Sequence, residues 1–336
     1  MGRRRRIWLL LLVSLVAIAA WLVLRSREPA YDGRSLTDWV QVYAADKNPY
    51  RPEYELAFHN FGTKGISVVI DTLARNDSSL RNKYRDLWPK MPALAKRVLP
   101  KPGPQLATDL AGRVFGFVGA PAIPMAVAAL KHNSSQVREA AALGLWHLRM
   151  KSPEADRAIP ALIAGLADSQ ILVRLRCAFA LGAMGAGASN AVPALIMALH
   201  DSDVDTNKPS SWVFVRATAA GALAKIGPGA AQAVPTLETL LRDPDHYVRG
   251  QAAVALLRIN PDHDKALPVL IEEFPGIRKY HTIDWILVLG DMGPRARPAV
   301  PVLTAELNNP DKPFHDCAVK ALQQIDPEAA AKAGAK

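Results

Sequence analysis

Residues 233–259 read AVPTLETLLRDPDHYVRGQAAVALLRI. The stretch holds two apolar segments separated by an aspartate-bounded break. Pro235 stands where a helix begins, in the first turn, where its missing N–H costs least. Leu237, Leu240 and Leu241 then fall three and four residues apart and predict one face of a helix, called A. Asp243-Pro244-Asp245 ends that helix and caps the next, because an aspartate oxygen accepts from first-turn N–H groups and proline pre-sets the entry. Val248, Ala252, Ala255, Leu256 and Ile259 predict the buried face of the second helix, B. Such a hairpin cannot bury both stripes by itself, so neighbouring copies must stack on it.

The copies are present. Ala122-Ile123-Pro124, Ala158-Ile159-Pro160, Ala191-Val192-Pro193, Ala233-Val234-Pro235, Ala266-Leu267-Pro268 and Ala299-Val300-Pro301 repeat the same opening, with prolines 36, 33, 42, 33 and 33 residues apart. Fourteen residues after the proline stand Arg138, Arg174 and Arg249, each preceded by valine; in the long unit the Val-Arg pair is delayed to Arg216. Ser67 replaces the proline in an earlier unit, and Arg81 lies fourteen residues beyond it. Seven units are therefore expected between residues 62 and 326, in an all-α solenoid of helical hairpins. Sustained period-two alternation is missing, which argues against strands.

The Ala-x-Pro-x-Leu opening, the aspartate break and the Val-Arg-x-x-Ala start of helix B resemble HEAT repeats, in particular the short HEAT-like repeats of phycobilisome bilin lyases. The resemblance implies a right-handed α-solenoid and no particular activity, since one fold serves many functions. The stretches YDGRSLTDWV (31–40) and LRNKYRDLWPKMPALAKRVLP (80–100) resemble membrane-anchored bacterial HEAT-repeat proteins.

At the start, Arg3–Arg6 precede an uncharged run from Ile7 to Leu24, followed by Arg25 and Arg27. Eighteen residues at ~1.5 Å each can just span a hydrocarbon core of about 30 Å, so 7–24 is expected to be a transmembrane signal anchor. The rival is a signal peptide cut near Ala17-Ile18-Ala19. The arginine excess before the run favours a cytoplasmic N-terminus, with the repeat array on the periplasmic or extracellular side. Residues 25–61 are expected to form a linker and N-terminal cap, with Leu36, Trp39 and Val40 covering the open end of the stack, and 327–336 a disordered tail.

The anchor carries much of the charge. Six of the 41 basic residues and no acidic residue lie in 1–27, so the net +10 of the chain falls to +4 for the remainder. Such a mild balance makes nucleic acid an improbable partner. A basic cluster from Arg75 to Lys101 suits either a solvated helix face or an anionic partner.

Chemistry is thin. None of the eight histidines precedes glutamate; His200, His263 and His315 precede aspartate but fall at different phases of the repeat, so no metal site is expected. Cys177 and Cys317 lie on B helices four units apart, too far for the ~7 Å that a disulfide allows, and read as small core residues. The glycines of LGAMGAGA (181–188) read as a helix end near Gly185, without a P-loop lysine. No catalytic residue and no cofactor is expected.

Arg81, Arg138, Arg174, Arg216 and Arg249 admit two readings: a ladder of pairs with aspartates of neighbouring A–B turns such as Asp168, Asp201 and Asp243, or a stripe that binds an anionic partner. Trp146 and Trp285 read as core. Trp212, in the expansion DSDVDTNKPSSW, is a candidate contact residue because repeat insertions lie at one edge of a solenoid. The expected function is a membrane-anchored, non-enzymatic scaffold that binds protein on the B-helix face. The alternatives are a bilin-lyase-like chromophore protein and a HEAT-like DNA-binding or glycosylase-type protein.

Overall fold

The computed structural model describes residues 29–46, 48, 51–76, 83–84, 86–92, 96, 106–202, 215–276 and 283–333. The expected anchor at 7–24, Arg81 and Trp212 lie outside these residues. The chain forms two compact units, Met1–Lys151 and Ser152–Lys336.

The first unit opens with a two-stranded antiparallel hairpin, β1 (Ala30–Tyr31) and β2 (Arg34–Ser35), pairing Ala30 with Ser35. Asp32 and Gly33 both take positive φ at its tip, the conformation a tight two-residue hairpin demands. This departs from the expectation of no strands, and the Asp-Gly pair was the signal for it. Ser35 accepts from the Asp38 amide and so starts α1 (Leu36–Ala45). Helices α2 (Pro52–Phe61), α3 (Thr63–Asn76), α4 (Thr108–Val118), α5 (Ile123–Ala129) and α6 (Ser135–Arg149) follow.

Leu36, Trp39 and Val40 are buried as expected, and the cover is larger than three residues. Tyr43, Tyr54 and Phe58 join them in a cluster of edge-on and tilted rings that reaches Phe117 of α4. The Tyr54 hydroxyl donates to Asp46, and burial followed by that bond pushes its pKa up to about 12. Residues 52–61 are thus a helix packed on α4 rather than linker.

In this unit α4 stacks on α6, and α5 pairs with α6. That arrangement makes α3 the A helix and α4 the B helix of the first hairpin; Arg81, read as a repeated arginine of this unit, lies outside the described residues. The signal lay at the other end of the helix. Gly119 ends α4 with φ 82°, as Gly185, Gly227 and Gly293 end later B helices at φ 59–73°. Counting back eleven residues from each glycine gives Arg174, Arg216 and Thr282, and from Gly119 it gives Thr108.

The second unit holds five hairpins in sequence: α7 (Ile159–Gly165) with α8 (Ile171–Met184), α9 (Val192–Ala198) with α10 (Val215–Ile226), α11 (Val234–Leu240) with α12 (His246–Ile259), α13 (Ala266–Glu273) with α14 (Asp284–Met292), and α15 (Val300–Glu306) with α16 (Lys312–Ile325). B helices stack on B helices, α8 on α10 on α12 and α14 on α16. Most of the links from B to the next A are 3-10 turns, Gly185–Ala191, Gly227–Ala233 and Gly293–Ala299, whose paired alanines (Ala188 and Ala191, Ala230 and Ala233, Ala296 and Ala299) are fully buried. The alanine of the repeated opening is therefore a packing residue that ends the turn.

In the quoted repeat, Asp245 caps α12 by accepting from the Tyr247 and Val248 amides at 2.8 and 3.2 Å. All five residues expected on the inner face of helix B are buried, whereas Leu240 of α11 is only half-buried. Trp285 is buried as expected, and Trp146 is corrected: it lies half-exposed, with its ring against His147. Ile171–Ala198 is apolar and long enough by composition to cross a bilayer, but φ +60° at Gly185 breaks it, and half of its apolar window is buried. Residues 327–332, expected to be disordered, form α17 (Pro327–Lys332). Asp326 caps it by accepting from the Ala329 amide, and Ala330 is buried, so the terminal helix is tied to the end of the stack.

Gly250 allows the closest approach in the stack, since a Cβ there would lie 2.0 Å from the Trp285 ring. Gly250→Ala should cost about 1–3 kcal/mol or more, as overpacking does in a filled core. Thermal unfolding of this variant should show a clear fall in Tm, while Gly229→Ala, where the new methyl meets only ordinary contacts, should not.

Candidate functional site: the B-helix face

The repeated arginines lie at the junction between successive hairpins. Arg174 donates from Nη1 to the Asp168 carbonyl of its own A–B turn at 2.9 Å, and from Nε and Nη2 to the Asp201 carboxylate of the next turn at 2.6 and 3.2 Å. Arg216 does the same, to the Asp201 carbonyl at 2.8 Å and the Asp243 carboxylate at 3.1 and 3.5 Å. It reaches its own turn across the expansion that lengthens this unit. Arg249 donates to the Asp243 carbonyl at 2.9 Å and to Glu273, a glutamate where the earlier units use aspartate. Arg138 donates to the His132 and Asn133 carbonyls at 2.9 and 3.0 Å.

For Arg174, Arg216 and Arg249 the geometry takes the ladder of the two readings. The Arg174 side chain is 9% exposed and its Asp201 partner 10%, so neither is presented to a partner protein. Asp243 shows why one residue type recurs: Oδ1 accepts from the Asp245 amide to shape the turn while Oδ2 takes Arg216. At the equivalent place in the last hairpin, His315 is an exposed residue beside Asp316, outside the ladder.

The ladder leaves a different set of side chains on the open side of the B helices. A groove of about 530 Å³ runs along the second unit, lined by Gly182 and Ala183 of α8, Gly221 and Lys225 of α10, Gln251 and Arg258 of α12, and Asp284 of α14. A smaller cavity of about 160 Å³ adjoins it, bounded by Phe179, Thr218 and Tyr247. The Lys225 ammonium lies 5.6 Å from the centroid of the Phe179 ring, a cation–π contact. Arg258 pairs with Asp291. Tyr247 stacks on Trp285 at 6.5 Å; burial raises its hydroxyl pKa, against which the bond from Gln251 acts. Of these groove residues, Gly182 and Ala183 fall in the stretch 181–188, whose glycines read as a helix end, and Tyr247, Gln251 and Arg258 fall in the quoted repeat, where the spacing assigns them no role; no motif marks the solvent side of a B helix.

The first unit has its own cluster on α4 and α6. His147 is held to a pKa of about 4, by burial first and then by Arg113 and Lys151. Lys151 pairs with Glu55 and lies 5.9 Å from the Phe117 ring centroid. Among the described residues no group of three histidine, cysteine or carboxylate side chains could hold a metal ion. Cys177 is fully buried over Gly165, and burial pushes its thiol up to about 12; Cys317 is half-exposed rather than core. His263 bonds Glu238 at 3.0 Å between A-helix neighbours, which accounts for one His-Asp pair in packing terms.

Family comparison agrees with this architecture. The family described as HEAT repeats matches residues 123–211 and 208–274. Residues 123–274 of the chain are HEAT repeats. Among solved structures, Kap121p bound to Ste12p is similar at 15% identity and TM-score 0.52, covering 86% of this chain and 33% of that one. Kap121p crystallised by itself is similar at 16% identity and TM-score 0.51, with the same coverage. The complex of CpcE and CpcF of phycocyanin lyase from Nostoc sp. is 22% identical over 73% of this chain and 96% of that one, at TM-score 0.47. The two Kap121p likenesses show the fold. No curated protein matches the sequence.

Two outcomes follow from the side-chain geometry of this HEAT array. Arg174→Ala strands the Asp201 carboxylate in a buried site, so it should destabilise the protein by about 3–5 kcal/mol in denaturant unfolding, with Arg258→Ala near neutral because its pair is exposed. His147 has a folded pKa below its unfolded one, so the neutral form is the one the fold favours. Its contribution is fully present above about pH 6.5 and is lost as pH falls from there toward about 4. Unfolding midpoints measured across that window should therefore fall less steeply in His147→Asn than in the parent.

Proposed function

We propose that this HEAT-repeat protein is a non-enzymatic scaffold, anchored by residues 7–24, that docks a protein partner on the B-helix face of its second unit. The observation that carries this reading is the groove across α8, α10, α12 and α14. It is open, of peptide-accommodating size, and lined by cationic, anionic, amide and aromatic side chains that the stack does not require. The arginines that could have competed for a partner are taken up between turns, so docking and stacking use separate residues. Solved relatives support the choice of ligand class: the Kap121p structure is a complex with Ste12p.

Binding on this face works by shape and charge complementarity, without turnover. The expected anchor would place the array on the outer side of the membrane, where the absence of a disulfide requirement among the described cysteines is no handicap.

Two measurements test the proposal. A photo-crosslinking side chain at Ala183, in the groove, should capture a protein in the native membrane, and the same group at Thr239, on the A-helix side, should not; equal capture or none at both sites contradicts the docking face. A reporter active only outside the cytoplasm, fused to the C-terminus, should be active and stay with the membrane fraction. A stable but inactive fusion would reverse the orientation.

A further inference from the structure

The charged side chains of the groove divide into satisfied and unsatisfied ones. Arg258 is matched by Asp291, so that pair presents little net charge. Lys225 is exposed, and its ammonium contacts the Phe179 ring with no carboxylate among the described residues within ion-pair distance. Asp284 is also exposed, in the first turn of α14, and no cation among the described residues pairs with it. Both line the same two cavities, with Gln251 between them. An intramolecular pair would have been the cheaper arrangement if the fold alone were served, as it is for Arg174, Arg216 and Arg249.

We propose that this groove holds an extended peptide segment carrying one acidic and one basic side chain, the acid on Lys225 and the base on Asp284. The inference rests on the docking face described above and names the chemistry of its occupant. Lys225 and Asp284 stand on α10 and α14, two B-helix layers apart, or ~16–20 Å at ~8–10 Å per layer, and at opposite ends of their helices, which adds ~10 Å along the axis and makes ~19–23 Å in all. An extended chain covers that distance in about six residues at ~3.3–3.6 Å each. A helix would present the two charges on this line only at about four turns' separation and is too wide, at ~10–12 Å, for a cleft of this volume. Gln251 is 7% exposed, and its amide is directed by the bond to Tyr247, which makes it a fixed polar partner for the main chain between the two charges. The Phe179 ring beneath Lys225 holds the ammonium in place without neutralising it. The second charge at Asp284 rejects a segment that is acidic throughout, and Lys225 rejects a basic one, so the pair selects by repulsion as much as by attraction.

The test uses the full chain in detergent and three labelled ten-residue peptides on a serine-leucine background. One carries Glu and Lys about six positions apart, one carries Glu at both positions, and one carries Lys at both. The parent should bind the mixed peptide about three- to tenfold tighter than either uniform one at low salt, with the margin shrinking as salt is added. Lys225→Glu should shift the preference to the Lys peptide, and Asp284→Lys to the Glu peptide. The double variant should recover the mixed preference, since the chain can lie in the opposite direction. Both side chains are exposed, so the variants are expected to keep the parent's unfolding midpoint to within a few degrees. Equal affinity for all three peptides, no binding of any, or preferences that ignore the substitutions would overturn the inference. If Ala183 still crosslinks a protein in that case, the docking face stands and only its charge selection fails; if that capture is absent too, both fail.

Discussion

The structure depends on how closely successive B helices approach. A hairpin of the second unit, with a seven- or eight-residue A helix and a longer B helix, has too little apolar area to stand by itself, and what it lacks is supplied by the next hairpin. Close approach requires small residues on the contact line: Gly112 lies under Leu143, Gly182 against Ala222, and Gly250 under Trp285. Each of these contacts admits little or no Cβ, so the distance between layers is set by backbone rather than by side-chain bulk. The alanine-rich composition and the repeated Ala-apolar-Pro opening follow from that single constraint.

Close stacking by small residues fixes distance but not register, because alanine faces slide over one another. The arginine ladder supplies the register. The Arg174 and Arg216 guanidinium groups are each fixed to the carbonyl of their own turn and to the carboxylate of the following one, so the hairpins they join can meet at only one offset. A buried ion pair contributes little net stability against an apolar alternative, and holding a unique arrangement is the better account of its repetition here. The division has a functional consequence: charges inside the ladder are matched and largely buried, and Lys225 and Asp284, unmatched among the described residues, lie on the open side of the B helices.

Much of this was readable in residue spacing. The proline period gave the hairpins of the second unit, the Asp-Pro-Asp break gave the cap of α12, and the Val-Arg pairs gave the ladder with two of its carboxylates. The B helix of the first hairpin, α4, was not found in the sequence because the proline that marks other units is missing and because residues 77–107 separate its two helices; the terminal glycine, Gly119, was the better ruler. Glu273 escaped because it lies at a different offset from its proline than Asp201 and Asp243 do. Trp146 escaped because an aromatic residue on a helix has no address until the neighbouring layer is known. The groove could not be read at all: Lys225, Gln251 and Asp284 come from three hairpins, and only the stack brings them to one cavity.

The central claim is that the B-helix face, and not the A-helix side, is the working surface of this HEAT array. Hydrogen exchange of the full chain, with and without the protein captured at Ala183, tests it most directly. The account predicts slowed exchange in 217–226 and 247–258 on complex formation, with 234–240 and 266–273 unchanged. Protection confined to those A helices, or protection nowhere in the second unit, would contradict it.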